Sequence, residues 1–218
     1  MRTERKQGGQ RKLTGVLGAI VALPVAAVTI GLAPSASASS SAPASDNVIS
    51  GQALAEAKAA GKNYTFLEFK KGKDPLNSRL RFVFVQAANP DHVRSWVIDS
   101  WRAGSGNGSK DTCATGRGWL PNGTYNINHY YPHHNGGPKG VNGISWDIGN
   151  HKCHSGKWRT ELFIHSKMLP SGAQGSGPYK WTGNYASNGC IKLSPKDIRE
   201  LQGLWNGGYP HPAKLYVD

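Results

Sequence analysis

Cys190, in the run SNGCIKL, and His165, which closes the apolar run ELFIH 25 residues earlier, are the residues of this chain best suited to chemistry. A cysteine is nucleophilic as its thiolate, and a nearby imidazole can take the thiol proton and later hand it to a leaving group. The pair is therefore equipped for acyl transfer through a thioester. His165 at a strand edge also has a purely structural reading. The pairing with a downstream cysteine is what favours a catalytic one.

Cysteine arithmetic supports treating Cys190 separately. Three cysteines cannot all pair within one chain, and an odd cysteine in an exported protein points to a reactive thiol or an intermolecular bridge. Cys113 (SKDTCATGRG) and Cys153 (GNHKCHSG) lie in polar, Gly-rich, loop-like surroundings, where a staple adds most. Joining them would close a loop of about 40 residues, worth roughly 3–4 kcal/mol in the chain-entropy view. Cys113–Cys153 is the expected disulfide, with Cys113–Cys190 and Cys153–Cys190 open as alternatives.

The elements that must hold these groups are mostly strands. YTFLEF (64–69), RLRFVFVQ (79–86), RSWVID (94–99), GTYNINHY (123–130), GISWDIG (143–149), TELFIHS (160–166) and KLYVD (214–218) alternate or cluster β-branched and aromatic residues. Long Gly-, Asn- and Pro-rich loops are expected at 101–118 and 169–186. SGQALAEAKAA (50–60) has the composition of a helix, with Gly61 placed to end it. A second helix is expected from Ser194 as N-cap, with Pro195 at the first position, Asp197 in the first turn, and Leu193, Ile198, Leu201 and Leu204 as its buried stripe. The fold class is mainly β with a few short helices.

IHS followed by a Gly-rich loop and SNGCIKL, with GRGWLPNGTYNI (116–127) upstream, resembles the L,D-transpeptidase catalytic domain family, of YkuD type. Pro121, Gly123 and Tyr125 match its TPxGxY segment, and the likeness runs from Arg79 to Asp218. The resemblance implies an L,D-transpeptidase-like β-sandwich and a cofactor-free, metal-free cysteine acyltransferase. Cys190 would be its nucleophile and His165 its base. The Ser166 carbonyl would fix the imidazole tautomer, and N–H groups around Gly189 and Cys190 would stabilise the oxyanion. Gly189 leaves room for the approaching acyl group. Ser187 would brace the loop, and Lys192 stands where the family has arginine, keeping the charge but losing the bidentate fork. Asn188 replaces the family's second histidine. The 169–186 loop carries Tyr179, Trp181 and Tyr185. As a lid it would bring Trp181 and Tyr185, with Ser187, Asn188 and Lys192, against the substrate.

The N-terminus reads as an address. Arg2, Arg5, Lys6, Arg11 and Lys12 precede an apolar run from Gly15 to Ala33, and Ala36-Ser37-Ala38 fits a secretory cleavage site. A retained membrane anchor is the rival reading. Residues 1–38 are thus expected to be a signal peptide, 39–48 a disordered linker, 49–78 an N-terminal helix and lead-in strand, and 79–218 the catalytic domain. Cleavage near Ala38 would leave a secreted or wall-associated protein, expected to be monomeric. It would remove five basic residues and one acidic residue, taking the net charge from +13 to +9. Such a charge suits anionic cell-wall polymers, and no nucleic-acid motif accompanies it. The expected substrate class is peptidoglycan stem peptides, cleaved at an L,D bond. An amine acceptor makes the enzyme a transpeptidase forming 3-3 crosslinks or exchanging a D-amino acid, and water makes it an L,D-carboxypeptidase or endopeptidase. Two other readings compete: a metal site built from His151–His154 with His133 and His134, and a non-catalytic basic wall-binding β domain.

Overall fold

The computed structural model describes residues 50–218 apart from residue 88. The proposed signal peptide (1–38) and linker (39–48) lie outside the described residues. Nine strands form the sheet: β1 Tyr64–Lys70, β2 Ser78–Gln86, β3 Arg94–Ser105, β4 Gly123–Asn126, β5 His129–Asn135, β6 Asn142–Lys152, β7 Trp158–His165, β8 Ile191–Lys192 and β9 Lys214–Val217, in the spatial order β4-β9-β1-β2-β3-β8-β7-β6-β5. Among the described residues two α-helices accompany them, α1 Gly51–Ala60 and α2 Pro195–Asn206. The mainly β class holds.

β1 and β2 are buried on both faces, because each side of their hairpin has its own cover. One side contributes Leu67, Phe69, Leu80 and Phe82 to the main core, which continues through Trp146, Ile164, Ile191 and Leu201. The other side, with Phe66, Val83 and Val85, packs with Ala53 of α1 and Tyr216 of β9. Glu68 and Arg81 lie on that second side as a buried pair 3.2 Å apart. Glu68 also accepts the Ser50 N–H at 2.8 Å, tying the start of α1 to the sheet. Partnering of this kind offsets the cost of burying charge.

β3 is the hinge of the architecture. Its first part pairs with β2 and its last two residues, Gly104 and Ser105, pair with β8. The sequence pattern places a loop from 101 onward, whereas the strand continues to Ser105. Trp101 and Ala103 alternate into the core, and Gly104 meets the Tyr185 carbonyl so closely that a Cβ would stand 2.6 Å from its oxygen. Glycine there marks a close backbone approach rather than a loop. The expected single strand at 123–130 is likewise two strands, β4 pairing with β9 and β5 with β6, the chain changing partners at Ile127–Asn128.

α2 begins as expected, the Ser194 hydroxyl accepting the Asp197 N–H at 3.1 Å. Its buried stripe is Ile198, Leu201 and Trp205, with Leu204 only partly buried. Trp205 takes the place expected of Leu204 by packing edge-on to Trp146, ring centroids 5.6 Å apart.

Cys113 and Cys153 form a disulfide, leaving Cys190 as the free cysteine. The bridge joins the β3–β4 connection to the β6–β7 turn across 40 residues. Replacing both Cys113 and Cys153 with alanine should lower unfolding free energy by about 4 kcal/mol through loop-closure entropy, read as a reduced urea midpoint. An unchanged midpoint would show that the connection is held by its other contacts alone.

Candidate functional site

β7 and β8 run parallel, with Ile164 opposite Ile191 and His165 opposite Lys192. Both isoleucines are fully buried. Alternation then sends His165 and Lys192 to the other face. Cys190 directly precedes β8, and its thiol meets the β7 backbone at Glu161, on the strand that His165 closes.

The imidazole is oriented from behind. Its Nδ1 lies 3.0 Å from the Ser166 carbonyl, which can only accept, so Nδ1 carries the proton and Nε2 is left as the base. Ser166 is itself fixed, its hydroxyl donating to the Leu193 carbonyl at 2.9 Å, while the Leu193 N–H donates to the His165 carbonyl at 2.9 Å. Burial pushes the His165 pKa down to about 4, opposed by the Ser166 carbonyl and assisted by Lys192 and Lys167. The ring is therefore neutral and able to accept a proton at pH 7.

Cys190 is 8 % exposed and its thiol donates to the Glu161 carbonyl at 3.5 Å rather than to the imidazole. Burial pushes its pKa up to about 11, against the pull of the Phe163 backbone N–H and the Arg159 guanidinium. Thiol and imidazole are both shifted toward their neutral forms and each is bonded to a backbone carbonyl rather than to the other, and catalytic hydrogen bonds in unliganded sites commonly tighten only around substrate. Glu161 has φ 56°, a left-handed backbone rare for a non-glycine residue. It lies in an irregular stretch of the β6–β7 pairing, and its carbonyl accepts the hydrogen bond of the Cys190 thiol.

The loop before Cys190 is heavily pinned. Ser187 Oγ donates to the Cys190 carbonyl at 2.6 Å and accepts the N–H groups of Gly106 (3.1 Å) and Gly189 (3.2 Å). The Gly189 N–H expected to face an oxyanion is thus engaged by Ser187. Ser105 Oγ donates to the Gly189 carbonyl at 3.1 Å. Gly189 has φ +120°, and a Cβ there would fall on Arg159 Nη2. Its lack of a side chain is required from below the loop, beyond any need for acyl access from above. Asn188 is exposed, and its carbonyl accepts from Arg159 at 3.2 Å.

Lys192 is 9 % exposed, donates to the Ala186 carbonyl at 2.9 Å and sits 5.6 Å from the Trp181 ring centroid. Burial lowers its pKa to about 8. Trp181 packs edge-on to Tyr185 at 5.1 Å, and the Arg102 guanidinium lies 4.4 Å from the Tyr185 ring centroid. Cation–π contacts thus hold two aromatic side chains of the 169–186 loop beside the cysteine strand.

Arg159 and Glu161 escaped the sequence reading. Both lie in WRTELFIH, where charged residues between apolar ones read as the solvated side of a strand. Nothing in the sequence signals that Arg159 is 2 % exposed.

Among the described residues one group, Asp111, Cys113 and His154, brings three possible metal ligands within 4.8 Å. Its sulfur belongs to the disulfide and offers no thiolate. His133, His134 and His151 join no such group. A recess of about 390 Å³ lined by Thr112, Pro121, Asn122, Lys152, Cys153 and His154 shares no residue with the Cys190 site.

Residues 83–211 match the family model of the YkuD L,D-transpeptidase catalytic domain. No curated protein matches the chain.

The two titrations give a joint test. Without reductant, iodoacetamide should label Cys190 alone, at a rate that climbs from pH 7 to 10 without levelling. Labelling at Cys113 or Cys153, or a plateau below pH 9, would contradict the buried protonated thiol. The depressed His165 pKa stabilises the fold above pH 6.5, a contribution lost as pH falls toward 4. His165→Asn should remove that part of the acid slope in urea midpoints.

Proposed function

Since the chain belongs to the L,D-transpeptidase catalytic domain family, we propose that it is an exported cysteine acyltransferase acting on peptidoglycan stem peptides. The observation that supports this reading is that the Cys190 thiol lies against β7, the strand that His165 closes, with the imidazole Nδ1 tied to the Ser166 carbonyl. In the proposed reaction, His165 Nε2 takes the thiol proton as sulfur attacks the carbonyl on the L side of an L,D peptide bond. The imidazolium then protonates the departing amine, a D-amino acid leaves, and a thioester remains on Cys190. An amine of a second stem attacks the thioester and gives its proton to His165, and the thiol is restored. The oxyanion is assigned to the Cys190 N–H, since Ser187 holds that of Gly189.

Lys192, Trp181 and Tyr185 are proposed to receive the substrate. A cation with pKa about 8 is largely charged at neutral pH and suits a stem-peptide carboxylate. Export is supported by the basic, apolar and Ala-Ser-Ala order of residues 2–38. No helix among the described residues is long and apolar enough to cross a membrane.

Purified protein given tetrapeptide-bearing muropeptides should release D-alanine and form crosslinked dimers, and Cys190→Ala should abolish both. D-alanine release without dimers would redirect the assignment to a carboxypeptidase. Identical behaviour of wild type and Cys190→Ala would end the enzyme reading.

A further inference from the structure

Arg159 is a buried cation with no carboxylate at salt-bridge distance among the described residues. Its guanidinium is held by four backbone carbonyls. Nη1 donates to Thr112 at 2.6 Å and Trp119 at 3.3 Å, and Nη2 donates to Gly118 at 3.3 Å and Asn188 at 3.2 Å. Three of those carbonyls belong to the disulfide-bearing β3–β4 connection, and the fourth lies two residues before Cys190. Nη2 also fills the space a Gly189 side chain would need.

Burying an ion without a counter-ion costs several kcal/mol even where dipoles compensate it. A fold that only needed to fasten two loops could use a neutral donor. The charge has a use if an anion forms nearby, and Cys190, whose sulfur becomes anionic in acyl transfer, directly follows the Gly189 against which Arg159 Nη2 packs. Arg159 and Cys190 do interact electrostatically, each favouring the charged form of the other.

We propose that Arg159 is a positioning residue that clamps the Asn188–Gly189 backbone to the disulfide-held connection and supplies the buried positive charge against which the Cys190 thiolate forms. The proposal rests on the acyltransferase reading for the anion it serves, while the clamp itself is read directly from the four carbonyls. The other ionisable groups around the thiol and the guanidinium are Glu161 and His165 of β7, Lys167 after it, Lys192 of β8, and Asp111 and Tyr125 beside Arg159. Of these, Glu161 raises the Cys190 pKa and Lys192 and Lys167 act on His165. Arg159 is the basic side chain that acts on the thiol itself.

The test compares full-length wild type, Arg159→Lys and Arg159→Met by melting temperature, by the pH profile of Cys190 alkylation and by kcat and KM on tetrapeptide muropeptides. Arg159→Met should raise the apparent alkylation pKa by about 1 or more and lower kcat about 100-fold, with KM little changed. Arg159→Lys keeps the charge and loses the fork. Its alkylation profile should stay near wild type while kcat falls by less. A merely structural arginine would lower the melting temperature and leave the alkylation profile of the folded protein unmoved, and that result overturns the proposal. If Arg159→Met does not fold, Arg159→Lys decides: reduced kcat in a folded protein supports the clamp, and wild-type kcat overturns it. If wild type turns over no muropeptide, the functional reading falls, while the alkylation profiles still judge Arg159.

Discussion

A parallel pairing only two residues long holds the candidate site together. β8 contributes Ile191 and Lys192, and nothing else, to the ladder with β7. Parallel neighbours require a crossover of a dozen residues or more, and here residues 166–190 make it, which is the physical origin of the wide His165–Cys190 spacing. β8 is also paired on its other side, with Gly104 and Ser105 of β3. The strand after the cysteine therefore joins the two halves of the sheet. Both isoleucine side chains at the pairing are fully buried, so the register cannot slip without exposing the core and sending Lys192 inward.

Burial acts on the two reactive groups in opposite directions with one outcome. It raises the thiol pKa and lowers that of the imidazole, so each group is neutral at rest. A protonated, shielded thiol reacts slowly with oxidants and disulfides, since reactivity follows thiolate character and exposure. A free cysteine can thus share a chain with a disulfide without exchanging with it. The orienting Ser166 carbonyl and the pinned 187–190 backbone fix the geometry in advance, leaving only the proton to move when a substrate excludes water.

Much of this was readable from residue patterns, and the exceptions have physical causes. The Ser194 cap, the α1 composition and most of the strand periodicity are local signals, and the structure follows them. The extension of β3 through 101–105 was hidden because Gly104 and Ser105 look like loop residues, although Gly104 is there to admit the Tyr185 carbonyl. Trp205 replaced Leu204 in the α2 stripe because the partner is a tryptophan on β6, invisible to a helix wheel. Nothing in the sequence marks Arg159 as buried or Glu161 as left-handed. The carbonyls that receive Arg159 come from residues 112–119 and 188, and no window around position 159 contains them. The left-handed backbone at Glu161 has no residue-type signal, since glycine or asparagine would be the usual choice.

β9 carries a consequence of a different kind. It lies between β4 and β1, antiparallel to the first and parallel to the second, with Leu67 aligned to Leu215. The strand formed earliest in the chain must therefore wait for one of the last to be synthesised, and until then one side of β1 is an unpaired edge. Pairings of such long range are slow to form. Assembly of the sheet is consequently a late event: a chain not yet extended through Val217 leaves that side of β1 open, and the sheet closes only when β9 is in place.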